Sequence, residues 1–421
     1  MKEFNKVIGY DDIKIELIRI VDMMLNPNKF SELGVKTTRG LILFGNPGVG
    51  KTLMANCLIK ASKRKTFTIR KDLPDGEFVT HIKKTFEKAK KEAPSIVFLD
   101  DLDKFANEDS NHANAEEFVT IQSCIDDCKE SEVFVLATAN EDNCIPHSLL
   151  REGRFDKMIF VEPPKKEDAA KIIKHYLKNK KCSKNLDYDE IASLLDNRSC
   201  AALETVLNEA GVYAGYECRK EIEMNDIIRA FMRTIYGTSE KKQFNDNAYL
   251  KQTAYHEAGH AVVSELYERN SVRFLTVEPR RSEVGGFVHL VNNEDYFEDK
   301  KFMENRVVSL LAGKAAVEIV YGKTDVGSNS DVHRAVEIVK RFVDSYCSFG
   351  FSFFEGCTSG GVPSELLERK TIAVELEMER YYQQAKQILI NNRKFLDNVA
   401  NELAEKQVLL SSDIQRLREA N

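Results

Sequence analysis

Gly40-Leu41-Ile42-Leu43-Phe44 runs directly into Gly45-Asn46-Pro47-Gly48-Val49-Gly50-Lys51-Thr52, and the reading of this junction decides the fold. A short apolar run of this kind reads as a strand buried on both faces, as in a parallel sheet. The eight residues that follow fit G-x-x-x-x-G-K-T in its required place between a strand and a helix. The glycines let backbone N–H groups close around phosphates, Lys51 reaches the terminal phosphates, and Thr52 is placed to ligate magnesium at the helix N-terminus. A glycine-rich turn without nucleotide is the competing reading, and the strand–loop–helix context argues against it.

Working outward, Ser95-Ile96-Val97-Phe98-Leu99 reads as a second buried strand ending in Asp100-Asp101-Leu102-Asp103. This is where a P-loop enzyme holds magnesium through a carboxylate and orients its attacking water. A third strand, Val133 to Ala137, ends in Thr138-Ala139-Asn140 and puts an amide at the same sheet edge. Strands alternating with helices, each strand ending in a polar group, predict a parallel α/β sheet with its site along that edge. Arg151 and Arg154 follow on a short turn. They read either as cations for a transferring phosphate, in a neighbouring subunit's site, or as surface ion-pair residues; spacing does not separate the two. Upstream, Ile13, Leu17, Ile20 and Val21 share one helix face that Pro27 ends. Pro163-Pro164 closes this domain, 166–235 is helical by periodicity with no strand pattern, and a polar stretch from Gly237 to Tyr249 reads as a linker.

The second half is organised around His256-Glu257-Ala258-Gly259-His260. On a helix the H-E-x-x-H spacing sets both imidazoles one turn apart on one face, so that two nitrogens reach one zinc while Glu257 acts as the base on its water. Val272 to Val291 alternates as a strand or hairpin, turning at 279–282, with Gly285-Gly286 marking a bend or close backbone approach. A peptidase aligns its substrate on an extended edge beside the metal, and this is the candidate edge. Helical patterns cover 300–321 and 331–347, with Gly327 to Asp331 as a loop and N-cap between them. The tail from Ser364 to Ala420 reads as charged helices broken near Asn391 and recapped near Ser411 to Asp413.

Composition limits the classes. A chain of 421 residues exceeds one ordinary core, and 43% apolar with 30% charged residues suits a folded protein. The formal charge of −6 gives no nucleic-acid signature, and the clusters Lys63 to Lys65 and Lys83 to Lys91 read as solvated helix faces. Nine cysteines lack paired C-x-x-C spacing; Cys57, Cys200 and Cys347 sit in apolar or helical patterns and read as reduced thiols in the cytosol. No apolar run approaches the length of a membrane span, and Met1-Lys2-Glu3-Phe4 lacks a signal-peptide pattern, which predicts a soluble chain.

In their order, the P-loop, the Asp-rich strand end, Asn140, the Arg151 and Arg154 pair, the helical lid and Thr253-Ala254-Tyr255-His256-Glu257-Ala258-Gly259-His260-Ala261 resemble the AAA+ zinc metalloproteases of the FtsH type. The resemblance implies an α/β P-loop AAA+ domain with a parallel sheet (1–165), a small all-α lid (166–236), a linker (237–250) and a mainly α-helical zinc metallopeptidase domain with a short β-hairpin (251–421). It implies ATP, Mg2+ and Zn2+ as cofactors, protein substrates, no nucleic-acid partner, and a homo-oligomeric ring, usually a hexamer, that unfolds, translocates and degrades proteins. It makes Asn140 the sensor of the terminal phosphate and Arg151 and Arg154 fingers acting across subunits. It also makes Asp331 the third zinc ligand beside His256 and His260, against a bland role as helix cap. Nucleotide contacts fall on Ile8, Gly9, Leu53, His175 and Ala201 in addition to the P-loop.

Three departures accompany the resemblance. Asp101 stands where relatives carry glutamate, one methylene short for orienting water. Leu73-Pro74-Asp75-Gly76 replaces the aromatic loop that grips substrate, leaving Phe78 as the nearest aromatic. The family's N-terminal membrane segments have no counterpart, which implies a cytoplasmic protein, or one at the cytoplasmic face of a membrane if such segments precede this sequence. Two further readings stay open here: a zinc peptidase on a nucleotide-binding ring with weak hydrolysis and poor unfolding, and an ATP-gated chaperone or assembly scaffold.

Overall fold

The computed structural model describes residues 1–35, 37–106, 115–140, 145–151, 153–238, 247–278, 286–290, 299–324, 327–346, 348–350 and 364–421. Most of the expected linker (239–246), the hairpin turn at 279–282 with Gly285, and Cys347 lie outside the described residues. The chain divides into two compact units, Met1–Ala230 and Phe231–Asn421.

In the first unit the elements run α1 (Asp11–Leu25), α2 (Pro27–Ser31), β1 (Gly40–Phe44), α3 (Lys51–Ser62), β2 (Lys65–Ile69), α4 (Asp75–Lys91), β3 (Ser95–Leu99), α5 (Ala115–Asp126), β4 (Val133–Ala139) and β5 (Lys157–Phe160). The helices α6 (Lys166–Leu177), α7 (Tyr188–Leu194), α8 (Cys200–Tyr216) and α9 (Met224–Tyr236) follow, and the division between the units falls inside α9. The five strands form one sheet in the order β2-β3-β4-β1-β5, every pair parallel. Alternation explains why the central strands are apolar throughout. Leu41, Leu43, Ile96, Phe98 and Leu136 pack on one face with α1 and α3, while Ile42, Val97, Leu99 and Val135 pack on the other with α4 and α5. The P-loop therefore leaves the interior strand β1, between β4 and β5, at the carboxyl edge shared with β3 and β4.

The second unit contains α10 (Asn247–Tyr267), β6 (Val272–Thr276), β7 (Phe287–Leu290), α11 (Lys300–Tyr321), α12 (Asn329–Asp344), α13 (Ser364–Asn391), α14 (Arg393–Lys406), β8 (Val408–Leu410) and α15 (Ser411–Glu419). Its core is one cluster drawn from α10, α11, α12, α13, α14 and α15 with the sheet β7-β6-β8, whose pairs are antiparallel. The crossing of α10 over α11 is close because Gly259 has no side chain: a Cβ there would stand 2.5 Å from the Ala312 carbonyl oxygen and 2.8 Å from the Ala316 methyl. Among the described residues, no helix is long and apolar enough to cross a membrane.

Several expectations are corrected in detail. Lys63 to Lys65 is not a helix face: Lys63 is the left-handed cap of α3 and Lys65 opens β2. The tail is not wholly helical, since Val408 to Leu410 pairs with β6. Phe78 is fully buried and packs edge-to-face on Phe105 with centroids 5.3 Å apart, so it is a core residue of α4 and unavailable to grip a substrate.

Candidate functional site

The candidate metal centre is assembled by two helices and floored by a third. One turn of α10 separates His256 from His260, and their Nε2 atoms stand 3.0 Å apart. From the first turn of α12, Asp331 brings Oδ2 to 3.3 Å from each Nε2. Four tetrahedral ligands about 2.0–2.1 Å from zinc lie about 3.3 Å from one another, so the triangle has the edge lengths that ion requires. His260 Nδ1 is 2.7 Å from the Ser309 carbonyl oxygen, which can only accept. Nδ1 therefore carries the proton and Nε2 presents a lone pair toward the other donors. The side chains are only 10 to 12% exposed. Burial opposes the charge on Asp331, but the Arg334 guanidinium beside it favours that charge, and the carboxyl lies below the ordinary carboxylate range. Arg334 engages Oδ1, leaving Oδ2 to the imidazoles. The helix cap of α12 is Ser328, so Asp331 is not its N-cap.

Gly313 lies against this candidate site, and reading the sequence missed it. A Cβ on it would lie 2.5 Å from His260 Nε2 and 2.7 Å from His256 Cε1, so α11 passes directly under both rings. A glycine inside the long helical run Leu310-Leu311-Ala312-Gly313-Lys314 was the available signal. Glu257, on α10 between the two histidines, is 5% exposed. Gly286, just before β7, would set a Cβ 2.8 Å from its Cγ and also against the Thr276 carbonyl oxygen. The expected close backbone approach is thus made by Gly286 against the proposed base, with the edge strand β7 following.

At the nucleotide site, Gly48 and Gly50 carry φ values of +82° and +105°, and the loop they form wraps Lys51. Lys51 Nζ donates to the carbonyls of Gly45 (2.7 Å) and Asn46 (3.0 Å) and to Asn140 Oδ1 (3.0 Å). Burial pulls the Lys51 pKa down against the pull of Asp103 and Asp101. Asn140 is held in turn by Asp103, which accepts from its amide N at 3.1 Å and from Nδ2 at 3.2 Å. Asp100 Oδ1 accepts from Thr138 at 2.8 Å and from Thr52 at 3.4 Å. Asp101 sits in the left-handed region at φ +58°, its amide N donating to Thr138 Oγ1 at 3.0 Å and its Oδ2 bonded to Lys104 at 2.6 Å.

The remaining nucleotide candidates divide. Ala201, at the start of α8, donates its amide to the Gly48 carbonyl at 3.0 Å, and Gly48 has no room for a Cβ beside the Ala201 methyl. Val49 is buried in the core, Pro47 and Leu53 face solvent, and Ile8 is half-buried. Gly9 has φ +70° and lies against Asp168 of α6, which accepts from the Tyr10 amide at 2.8 Å. His175 is exposed on α6. The arginines differ sharply: Arg151 is exposed, whereas Arg154 is clamped by Asp126 at the end of α5, Nε to Oδ1 at 2.9 Å and Nη2 to Oδ2 at 2.6 Å, with Nη1 on the Ser148 carbonyl. Arg154 holds the Asp126 carboxyl down at about 2.

Residues 41–163 match the model of the ATPase family associated with various cellular activities (AAA), and residues 243–417 match peptidase family M41. The ATP-dependent zinc metalloprotease FtsH of Bacillus subtilis is 31% identical over 99% of this chain and 69% of its own length. FtsH of Thermotoga maritima is 30% identical over 98% of the chain and 72% of its own length, and FtsH 2 of Phytoplasma mali 29% over 98% and 62%. The chain thus spans between 62% and 72% of these relatives. Each of these matches takes in both domains of this chain and the sequence joining them, and the chain belongs to the FtsH family of AAA-type, ATP-dependent zinc metalloproteases.

Proposed function

We propose that this chain is an ATP-driven zinc endopeptidase that acts on proteins as a homo-oligomeric ring, with its ATPase domain in 1–165, a helical lid in 166–236, a linker in 237–250 and its peptidase domain in 251–421. The observation that carries the reading is the convergence of His256, His260 and Asp331 on one point with Glu257 beside them on α10. Zinc, when bound, polarises the scissile carbonyl and acidifies the attacking water. Glu257 takes the proton of that water on its carboxylate and delivers it to the leaving amine nitrogen. Its burial keeps bulk water from competing for that proton, and the edge strand β7 offers main-chain groups to an extended peptide. A scaffold would need neither a metal triad nor a base, and the family match removes the support that reading had.

On the ATPase side, the P-loop, Thr52 and Asp100 take the phosphates and magnesium, Asn140 senses the terminal phosphate, and Asp101 orients the attacking water. Arg151, exposed on its turn, acts on a neighbour's nucleotide, while Arg154 on its Asp126 clamp fixes the turn that presents it. Leu73, the exposed apolar residue of the loop before α4, takes the gripping place that Phe78 cannot.

Casein cleavage with zinc, with and without ATP, tests the reading. Glu257→Gln is expected to retain zinc and lose at least about a hundredfold in cleavage rate. Cleavage at the normal rate by this variant sinks the assignment of the base, and ATP-independent casein cleavage sinks the motor.

A further inference from the structure

β2 and β3 pair in parallel with Ile69 opposite Leu99, so the next residues, Arg70 and Asp100, leave the sheet side by side. The Asp100 amide donates to the Ile69 carbonyl at 3.1 Å, which fixes that placement through the backbone. Arg70 Nη2 stands 2.5 Å from Asp100 Oδ2, with the carboxylate 7% exposed and the arginine 61%. Since Thr52 and Thr138 occupy Oδ1, the carboxylate beside the P-loop threonine carries a guanidinium on its other oxygen.

A carboxylate buried this deeply requires a positive partner. Magnesium is one such partner in a P-loop site, and Arg70 is another already in reach. Arginine stays charged at every working pH and presents five donors in a planar fork, so a nitrogen on the carboxylate leaves others free by valence to meet phosphate oxygens. Its long stem and exposed setting give it the reach to swing between the two.

We infer that Arg70 is a second cation of the nucleotide site: it shares Asp100 with magnesium and meets the terminal phosphate oxygens of a nucleoside triphosphate. Nucleotide binding in this chain then depends less on magnesium than Lys51 and Thr52 alone would make it. The inference rests on the P-loop reading above.

The test is a titration of the full chain with a fluorescent ATP analogue, in saturating magnesium and in magnesium-free buffer, for wild type, Arg70→Ala, Arg70→Lys and Lys51→Ala. In Arg70→Ala the ratio of the magnesium-free Kd to the magnesium-bound Kd is expected to widen by about tenfold, the worth of a charge-assisted contact. Arg70→Lys, which keeps the charge without the fork, is expected to recover part of that ratio. Thermal unfolding without nucleotide separates a merely structural ion pair, which lowers the melting temperature and leaves the ratio alone. An equal ratio in wild type and Arg70→Ala overturns the inference while the P-loop reading stands. Undiminished binding by Lys51→Ala, or no binding by the wild type, overturns the P-loop reading and the inference with it.

Discussion

At the scale of single residues, the proposed metal centre has no room for one further atom. Gly313→Ala would drive a methyl into both imidazoles, so zinc affinity is expected to fall by about tenfold or more, as for loss of a partner that orients the ligands. Chelator competition read by a zinc dye checks this; unchanged affinity would mean that α11 gives way. Loss of Asp331 as a ligand is a separate expectation: Asp331→Ala should release zinc, and full occupancy in that variant would remove it from the ligand set. His256, Glu257 and His260 could be read from the sequence because a helix makes their spacing local. Asp331 came only through resemblance, since nothing local in Ser328-Asn329-Ser330-Asp331 says which helix it faces. Gly313, Ser309, Arg334 and Arg70 went unread because packing, not spacing, brings them in.

Among elements, the arginine turn is governed by the end of α5. The folded Asp126 carboxyl titrates at about 2, below its ordinary value of 3.8, because Arg154 and Lys129 favour its charge. A depressed carboxylate stabilises the fold fully above the ordinary value and progressively less as pH falls toward 2. Asp126→Asn should therefore flatten the acid limb of the melting-temperature profile between about pH 4 and 2, and, by freeing the turn, lower ATP turnover at neutral pH. A profile identical to wild type would show the clamp to be energetically idle, as many exposed pairs are. The strands β1, β3 and β4 were evident as apolar runs because both their faces are covered. β2 and β5 were not, because they are the two sheet edges and mix polar with apolar positions, as in Lys65-Thr66-Phe67-Thr68-Ile69. β8 has three residues, too few for any period to register.

For the whole molecule, two units with separate cores imply two unfolding transitions rather than one. Each is expected to answer to its own ligand in differential scanning calorimetry: zinc removal should lower only the transition of 231–421, and magnesium–ATP should raise only that of 1–230. A ligand at a hundred times its Kd adds about 2.7 kcal/mol, a shift of about 5 to 10 °C for units of this size. A single transition moved by both ligands would contradict the division. The pairing of β6 with β8 also sets a timetable for biosynthesis. Thr276 bonds through its hydroxyl to the Gln407 carbonyl at 3.0 Å, and β6 finds its second neighbour only in Val408–Leu410. During translation β6 must wait for more than a hundred intervening residues, its flank bare for chaperones to shield. The sheet that supports Glu257 through Gly286 is completed only after that wait, so peptidase activity is expected only once Val408–Leu410 has left the ribosome.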